Sequence, residues 1–186
     1  SNLVNGTTRL QPVVIQIGQI AGLIASESVK NNINTHQIDI RNIQKKFLDI
    51  GGYIQPYLDV KKNHPFFKAY QRIGSTGILK GTGINVGWSN QTWFYPEDKM
   101  DFLDLLKGLD PYYDLDKYEL RDLKIISLYK WISSILGEDI NEIEKNWDSL
   151  GLKNFNKNKI LNRGEFAIIV DYFLKPFESF KIDFKG

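Results

Sequence analysis

The sequence has 186 residues, of which 42% are hydrophobic and 25% are charged. These are typical values for a globular chain that folds as one domain or two small ones. The formal net charge of +2 gives no electrostatic footprint for nucleic acid. Cysteine is absent, and the two histidines, His36 and His64, belong to no metal-site or catalytic-triad motif. We therefore predict no metal site and no catalytic residue in this chain.

The opening segment is a long apolar run. Pro12 suits the first turn of a helix, and residues 13–30 are apolar on nearly all faces, which predicts a buried helix. A line of small residues along this helix would let another backbone or a flat ligand approach closely. These residues are Gly18, Ala21, Gly22 and Ala25. No run of 18 apolar residues is present, which predicts no membrane span.

The next two predicted elements are also helices. A short amphipathic helix runs from about residue 38 to Gly51, where a glycine pair ends it. Asn63 is a candidate cap for a third helix, whose first position is close to Pro65 and which ends at Gly77. The stretch VGWSNQTWFYP that follows predicts a loop or a short extended segment.

The second half of the sequence predicts further helices and little strand. One passes through Met100 and stops at Pro111, one spans about residues 120–137, and a short one follows over residues 138–152. The last strong helix has Asn162 as its cap with Glu165 three residues on, a capping box, and Pro176 ends it. The fold class predicted is therefore mainly α.

Several motifs have a functional and a structural interpretation. GTG at residues 81–83 lacks the third glycine and the preceding strand of a nucleotide site, so we predict a turn. The carboxylates between Asp110 and Glu119 fail the calcium-loop pattern, which indicates a solvated turn. Lys153 to Lys159 is also read as a solvated loop. Arg9, just before the apolar helix, either holds an anion at the helix entrance or is a surface arginine.

The aromatic cluster in WSNQTWFYP also has two interpretations. Aromatic faces bind sugar rings, and neighbouring amides and hydroxyls would bond the sugar hydroxyls. The candidate sugar-binding residues here are Trp88, Trp93 and Tyr95. The alternative, which we favour, is that the aromatic side chains close a helical core.

Residues 5–33, NGTTRLQPVVIQIGQIAGLIASESVKNNI, resemble the C-terminal signature of a family of bacterial FAD-dependent oxidoreductases. That signature is an arginine, a proline a few residues later, and Gly-Gln-x-Ala-Gly in a helix of small residues. The matching positions are Arg9, Pro12, Gly18, Gln19, Ala21 and Gly22. Members often carry labels such as xanthan lyase or exported protein, which favours the periplasm or the cell surface.

This resemblance implies that the segment is the last piece of an FAD-binding domain, with its helix start facing the pyrimidine side of the isoalloxazine. The implied cofactor-binding residues, in the full-length enzyme only, are Thr8, Arg9, Gln11, Pro12 and Gly18. No strand followed by G-x-G-x-x-G and no ribose-binding acid occurs in the sequence. We therefore expect FAD in the full-length protein, none in this chain, and an upstream FAD-binding domain of the same polypeptide as partner.

The segment from Tyr57 to about Leu106 is similar to an S-layer-homology repeat. Its matching positions are Asp59, Val60, Phe66, Phe67, Ala69, Ile73, Gly77, Ile78, Gly81, Phe94 and Pro96. A second, looser copy ends in LNRGEF, where Arg163, Glu165 and Phe166 match. In such repeats the arginine often contacts an anionic wall sugar, so Arg163 is a further candidate carbohydrate-binding residue.

The sequence departs from this second pattern. Met100-Asp101-Phe102 stands where an Arg-Ala-Glu helix would start, the second copy lacks an Asp-Val opening, and two repeats are visible instead of three. We therefore favour a structural role for LNRGEF. Glu165 would reach back to the cap at Asn162, while Arg163 would pair with a nearby carboxylate and matter little to the fold.

Together these observations predict two domains. Residues 1–52 would be the C-terminal remnant of an FAD-binding domain, and residues 53–186 a helical S-layer-homology-like domain. The function predicted is that of an accessory C-terminal region, inactive on its own, of an FAD-dependent oxidoreductase. The alternatives are a module that binds polysaccharide at a cell surface, and a purely structural or oligomerising domain.

Overall fold

The computed structural model describes residues 11–140 and 143–182. This part of the chain is mainly helical, with one two-stranded antiparallel sheet, so the predicted fold class is confirmed. The described residues divide into two compact units. One comprises residues 11–53 with 181–182, and the other comprises Ile54–Phe180. Thr8 and Arg9 lie outside the described residues.

The first unit consists of helix α1, Gln11–Asn31, a 3-10 turn, Thr35–Gln37, and helix α2, Ile40–Asp49. Asp39 caps α2, because its carboxylate accepts from the backbone N–H groups at the helix start. Glu27, the one fully buried side chain that α1 has, forms an ion pair with Lys46 of α2. This pair joins the two helices of the unit.

The prediction that α1 is a buried helix is wrong for this chain. Its N-terminal half is exposed on all sides, and Ile15 and Ile17 are 63% and 59% exposed. A Cβ atom added at Gly18 or Gly22 would meet no atom within 4 Å. The helix therefore presents an apolar surface with open space along its line of small residues.

Helix α1 also bears on the prediction that no segment can span a membrane. It has 21 residues, and its most apolar 18-residue window has a mean hydropathy of 1.3. By length and composition alone it is long and apolar enough to cross a membrane, and the absence of a membrane span stays a prediction. The core helix of a soluble protein and a signal sequence pass the same test, so composition does not choose among the three.

The second unit contains the remaining elements. Its helices are α3, Phe67–Thr76; α4, Phe102–Leu109; α5, Ile125–Leu136; α6, Ile143–Ser149; α7, Arg163–Phe173; and α8, Pro176–Ser179. Its strands are β1, Thr82–Val86, and β2, Ser89–Trp93, which form a hairpin between α3 and α4.

Helix α7 is the centre of this unit. It packs against α3 and α8, and most of its side chains are buried. Phe166, Ile169 and Val170 are completely inaccessible to solvent, and each such side chain stabilises the fold by roughly 1.5–3 kcal/mol. A bidentate ion pair between Arg72 of α3 and the buried Asp171 of α7 ties the same two helices together.

Two predicted helix starts differ from the structure. Helix α3 begins at Phe67, with Phe66 and not Asn63 at its cap position, because a turn ends at His64 and its Nδ1 accepts from the Phe66 N–H. Helix α4 begins only after Asp101, which caps it. Pro176 does end α7, as predicted, but it also opens the short helix α8.

Strand β2 lies in the predicted loop or short extended segment, whereas β1 includes Thr82 and Gly83, where a turn was predicted. The two-residue turn of the hairpin is Gly87-Trp88, and Gly87 has φ +58°, which fits a type II′ turn with glycine at the first central position. The alternating residues on either side of this Gly-x pair were the sequence signal for a hairpin.

The capping box of α7 is confirmed. The Asn162 side chain accepts from the Glu165 N–H at 2.8 Å, and the Glu165 carboxylate accepts from the Asn162 N–H at 3.1 Å and pairs with Lys159. Because this cap begins the central helix, Asn162→Ala should lower the free energy of unfolding by about 0.5–2 kcal/mol. Thermal melting measures the loss, with Glu119→Ala, at an exposed ion pair, as control. Equal melting temperatures for the two variants would contradict this assignment.

Candidate functional site

The candidate residues fall into two groups, one in each unit. In the first unit, Gln11 and Pro12 form the first turn of α1 and are exposed, and Gly18 lies further along the same exposed helix. In the second unit, the structure brings Trp93, Tyr95 and Arg163 to the segment where β2 ends. Trp88 does not join them, because it lies in the hairpin turn and is fully exposed.

Arg163 is bound by backbone carbonyls and not by the carboxylate that we predicted. Its Nε donates to the Phe94 carbonyl at 2.8 Å and its terminal nitrogen donates to the Lys80 carbonyl at 2.7 Å. The guanidinium also lies over the Phe94 ring, 5.2 Å from its centroid. Arg163 therefore joins the start of α7 to both ends of the hairpin.

Asp59 holds the same segment through its N–H groups. One carboxylate oxygen accepts from the Phe94 N–H at 2.9 Å and the other from the Tyr95 N–H at 2.6 Å. Tyr95 has φ +53°, an unfavourable conformation for a residue other than glycine, and these hydrogen bonds hold it there. The Asp-Val opening of the repeat-like pattern was the only sequence signal for Asp59.

The electrostatics of this region follow from burial. Desolvation lowers the pKa of Arg163, partly offset by Tyr57, Asp98 and Asp59, and the guanidinium remains charged at neutral pH. Burial raises the pKa of Tyr57 to about 12, although the Arg163 charge acts in the opposite direction. The Tyr57 phenol is therefore neutral at physiological pH, and neither group titrates where an acid–base catalyst must.

A cleft with a cavity volume of about 360 Å³ lies beside Arg163. The turn from Gly77 to Thr82 forms one wall, and the start of α4 contributes Asp101, Asp104 and Lys107. Most of the charged side chains that line the cleft already have a partner, because Asp101 caps α4 and Asp104 forms an ion pair with Lys107 at 3.0 Å. The cleft can accept a polar ligand, but it offers no pair of carboxylates poised for acid–base chemistry.

The aromatic residues at this site divide into core and surface. Phe94 is completely buried, as the core interpretation predicted, whereas Trp88 is fully exposed, which contradicts it. The rings of Trp93 and Tyr95 stack with centroids 5.7 Å apart and planes within 9° of parallel. The Trp93 indole N–H donates to the Gln91 side chain at 3.2 Å. This half-exposed stacked pair is the feature that a sugar ring could use.

No metal site is visible in the part of the chain that the structure describes, since no group of three or more His, Asp or Glu side chains there is placed to hold an ion.

Comparison with known proteins adds one positive finding. The family model described as FAD dependent oxidoreductase matches residues 1–47, about a quarter of the chain. This match supports an assignment of the N-terminal region to FAD-dependent oxidoreductases, and it includes every candidate cofactor-binding residue. No curated protein and no solved structure matches the chain.

The role of Arg163 in the fold can be tested by substitution. Arg163→Ala leaves two carbonyls without their donor and removes the guanidinium from the Phe94 ring, so it should cost about 2 kcal/mol and lower the melting temperature by roughly 5–10 °C. Arg163→Lys should recover part of this loss, because an ammonium group can bond one of the two carbonyls. Arg121→Ala, at an exposed ion pair with Glu119, is the control and should melt like the wild type. A stable Arg163→Ala protein would restore our original expectation.

Proposed function

We propose that this chain is the C-terminal region of an FAD-dependent oxidoreductase and that α1 completes the FAD-binding domain of that enzyme. One observation carries the proposal: the segment that matches the family is also the segment whose apolar surface is left uncovered. A large exposed apolar surface on a folded chain usually marks the place of a partner. The partner here is the upstream part of the same polypeptide.

The described residues fit one side of a flavin site and not a whole one. The open line of Gly18 and Gly22 allows a flat ring or a strand to lie close to the helix backbone. In this proposal Gln11 and Pro12 at the helix start, together with Thr8 and Arg9 of the matching segment, would contribute to holding the cofactor. FAD supplies the electron transfer when bound, and this chain contributes packing surface and polar contacts.

The second unit serves as a helical accessory domain in this proposal. The cleft beside Arg163 has its charges largely paired, so we assign it no catalytic step. In this proposal the S-layer-homology-like pattern and the labels of the resembled family favour a location outside the cytoplasm, in the periplasm or at the cell surface. The accessory domain would hold the enzyme there or present its substrate.

A carbohydrate-binding module is the second candidate function. The stacked pair of Trp93 and Tyr95, together with the fully exposed Trp88, favours it. An exposed indole has no role in the core, and aromatic faces are common platforms for sugar rings. Arg163 is a less suitable ligand for an anionic sugar in this arrangement, because two backbone carbonyls occupy two of its five N–H donors and fix its position.

The flavin proposal is tested by filling the line of small residues. In a polypeptide that carries the upstream domain, Gly18→Leu should cause most of the bound FAD to be lost during purification, measured as flavin absorbance per protein. In the present chain the same change should leave the melting temperature unchanged or raise it slightly, because the site is open and leucine favours helix by nearly 1 kcal/mol.

Lys30→Leu introduces the same side chain at the polar end of α1 and is the control for an added apolar residue. Full flavin retention by Gly18→Leu would contradict the proposal, as would equal losses in the two variants.

The carbohydrate candidate is tested with Trp88→Ala. A fully exposed indole contributes little to stability, so this variant should keep the wild-type melting temperature and lose most of its retention on insoluble cell-wall polysaccharide. Tyr172→Ala, at an exposed aromatic outside the hairpin, is the control. Unchanged retention by Trp88→Ala, or no retention by the wild type, would remove this candidate and leave the accessory role of the domain unspecified.

A further inference from the structure

The outer edge of the β1–β2 hairpin is an uncovered strand. All five residues of β1 are exposed, and its one partner among the described elements is β2. Proteins usually protect such edges with lysine, proline or a bulge. The β1 sequence TGINV contains no charged residue and no proline, and its pairing with β2 runs without a bulge from Thr82 to Val86.

The register shows which backbone groups point outward. Val86 and Ser89 flank the two-residue turn and form a hydrogen-bonded pair, so Ile84 and Thr82 also bond to β2. The groups of Gly83 and Asn85 then point away from β2. The hydrogen bonds of β2 support this assignment. Thr92 lies opposite Gly83, and its carbonyl points away from β1 and accepts from the Leu58 N–H at 2.9 Å.

No hydrogen bond joins the outward groups of Gly83 and Asn85 to any other segment that the structure describes. The edge also has an apolar side. Ile84 and Val86 lie on the same face of the hairpin as Gln91 and Trp93 of β2, since side chains alternate along a strand. Ile84 is 37% exposed and Val86 is 50% exposed.

We propose that β1 is a self-association edge, at which two copies of the chain pair antiparallel about a two-fold axis through Ile84. In this register Gly83 of each copy faces Asn85 of the other, and both residues have outward backbone groups. Each of these two pairs can exchange two hydrogen bonds. The Ile84 side chains then meet in the close, non-hydrogen-bonded pair on the axis.

The pairing is self-complementary, and its two-fold symmetry gives a closed assembly of two copies. The resulting four-stranded sheet carries Ile84 and Val86 of both copies on one face and has no charge at its centre. At its outer edges, on the far sides of β2, a bridge to Tyr57 occupies Thr92, and the two-fold axis limits pairing through β1 to two copies. Association through β1 therefore gives a dimer and not a filament.

A second copy is the occupant that the observations favour, because β1 has no charge or proline to oppose pairing with itself and the two Ile84 side chains meet on the axis in this register. The proposal depends on the geometry of the hairpin alone and is independent of the flavin and carbohydrate proposals. Five paired residues make a small interface, so we expect a weak dimer whose population rises with concentration.

The register can be tested by cross-linking, because the chain has no cysteine of its own. In an Ile84→Cys variant of the full chain, the two thiols would lie on the axis, with Cβ atoms about 5 Å apart, close to disulfide geometry. In Val86→Cys the two thiols would be four residues apart along the strands, about 14 Å. Val86 is the more exposed position, so random collisions would favour Val86→Cys.

We expect Ile84→Cys to form a disulfide-linked dimer under mild oxidation at least about tenfold faster than Val86→Cys. Equal rates, or a faster reaction of Val86→Cys, would overturn the proposal.

Light scattering provides the second arm. The mass of the wild-type chain should rise toward twice the monomer over a concentration series up to about 1 mM. Ile84→Lys places two like charges opposite each other and should remain monomeric throughout. Leu103→Lys, at an exposed leucine of α4, should dimerise like the wild type. A wild-type chain that stays monomeric overturns the proposal, and so does a dimer that persists in Ile84→Lys.

Discussion

The segment Phe94–Pro96 is held by hydrogen bonds from two directions, and the second unit is organised around it. Asp59 accepts from two of its N–H groups, and Arg163 and Gly164 at the start of α7 donate to its carbonyls. Polar backbone groups near a core must be paired, and the partners of these four groups come from distant parts of the chain. This arrangement joins the residues before α3, the end of the hairpin and the first turn of α7.

Close packing accompanies these hydrogen bonds. A Cβ atom at Gly164 would lie 2.7 Å from the Tyr70 hydroxyl, and one at Gly108 would lie 2.3 Å from the Ile78 carbonyl. Both approaches are possible only for glycine. The start of α7 is therefore held at close range to Tyr70 of α3, and α4 to Ile78, while the hairpin has its β1 edge and its turn in solvent.

The two units differ in how completely their apolar side chains are buried. The second has a complete core of its own, centred on α7, and its exposed features are a strand edge and aromatic side chains. The first has an ion pair between α1 and α2 but leaves the apolar surface of α1 uncovered, as expected for a piece of a larger domain. The family match falls on the first unit and ends within α2, so the chemistry of the family and the architecture of the second unit are separate questions.

The local features of this chain were determined by its sequence. The apolar run with Pro12, the capping box at Asn162 and the glycine ends of α3 and α5 depend on residues within one turn of each other, and the structure shows them where the sequence predicted. The mainly helical fold class follows from the same local signals. The hairpin also had a local sequence signal, the Gly87-Trp88 pair. The prediction that these aromatic residues close a helical core did not take that signal into account.

Only the tertiary structure decided how the distant groups pair. The partners of Arg163 are the carbonyls of Phe94 and Lys80, about 70 and 80 residues away along the chain, and any residue type can offer a carbonyl. The charged residues in the sequence suggested only a carboxylate as the hydrogen-bond partner of Arg163. The exposure of α1 could not be predicted from the sequence either. An apolar helix has the same residue pattern whether its packing partner lies in the same chain or upstream of it. Burial depends on which elements pack against a helix, and the sequence of that helix does not identify them.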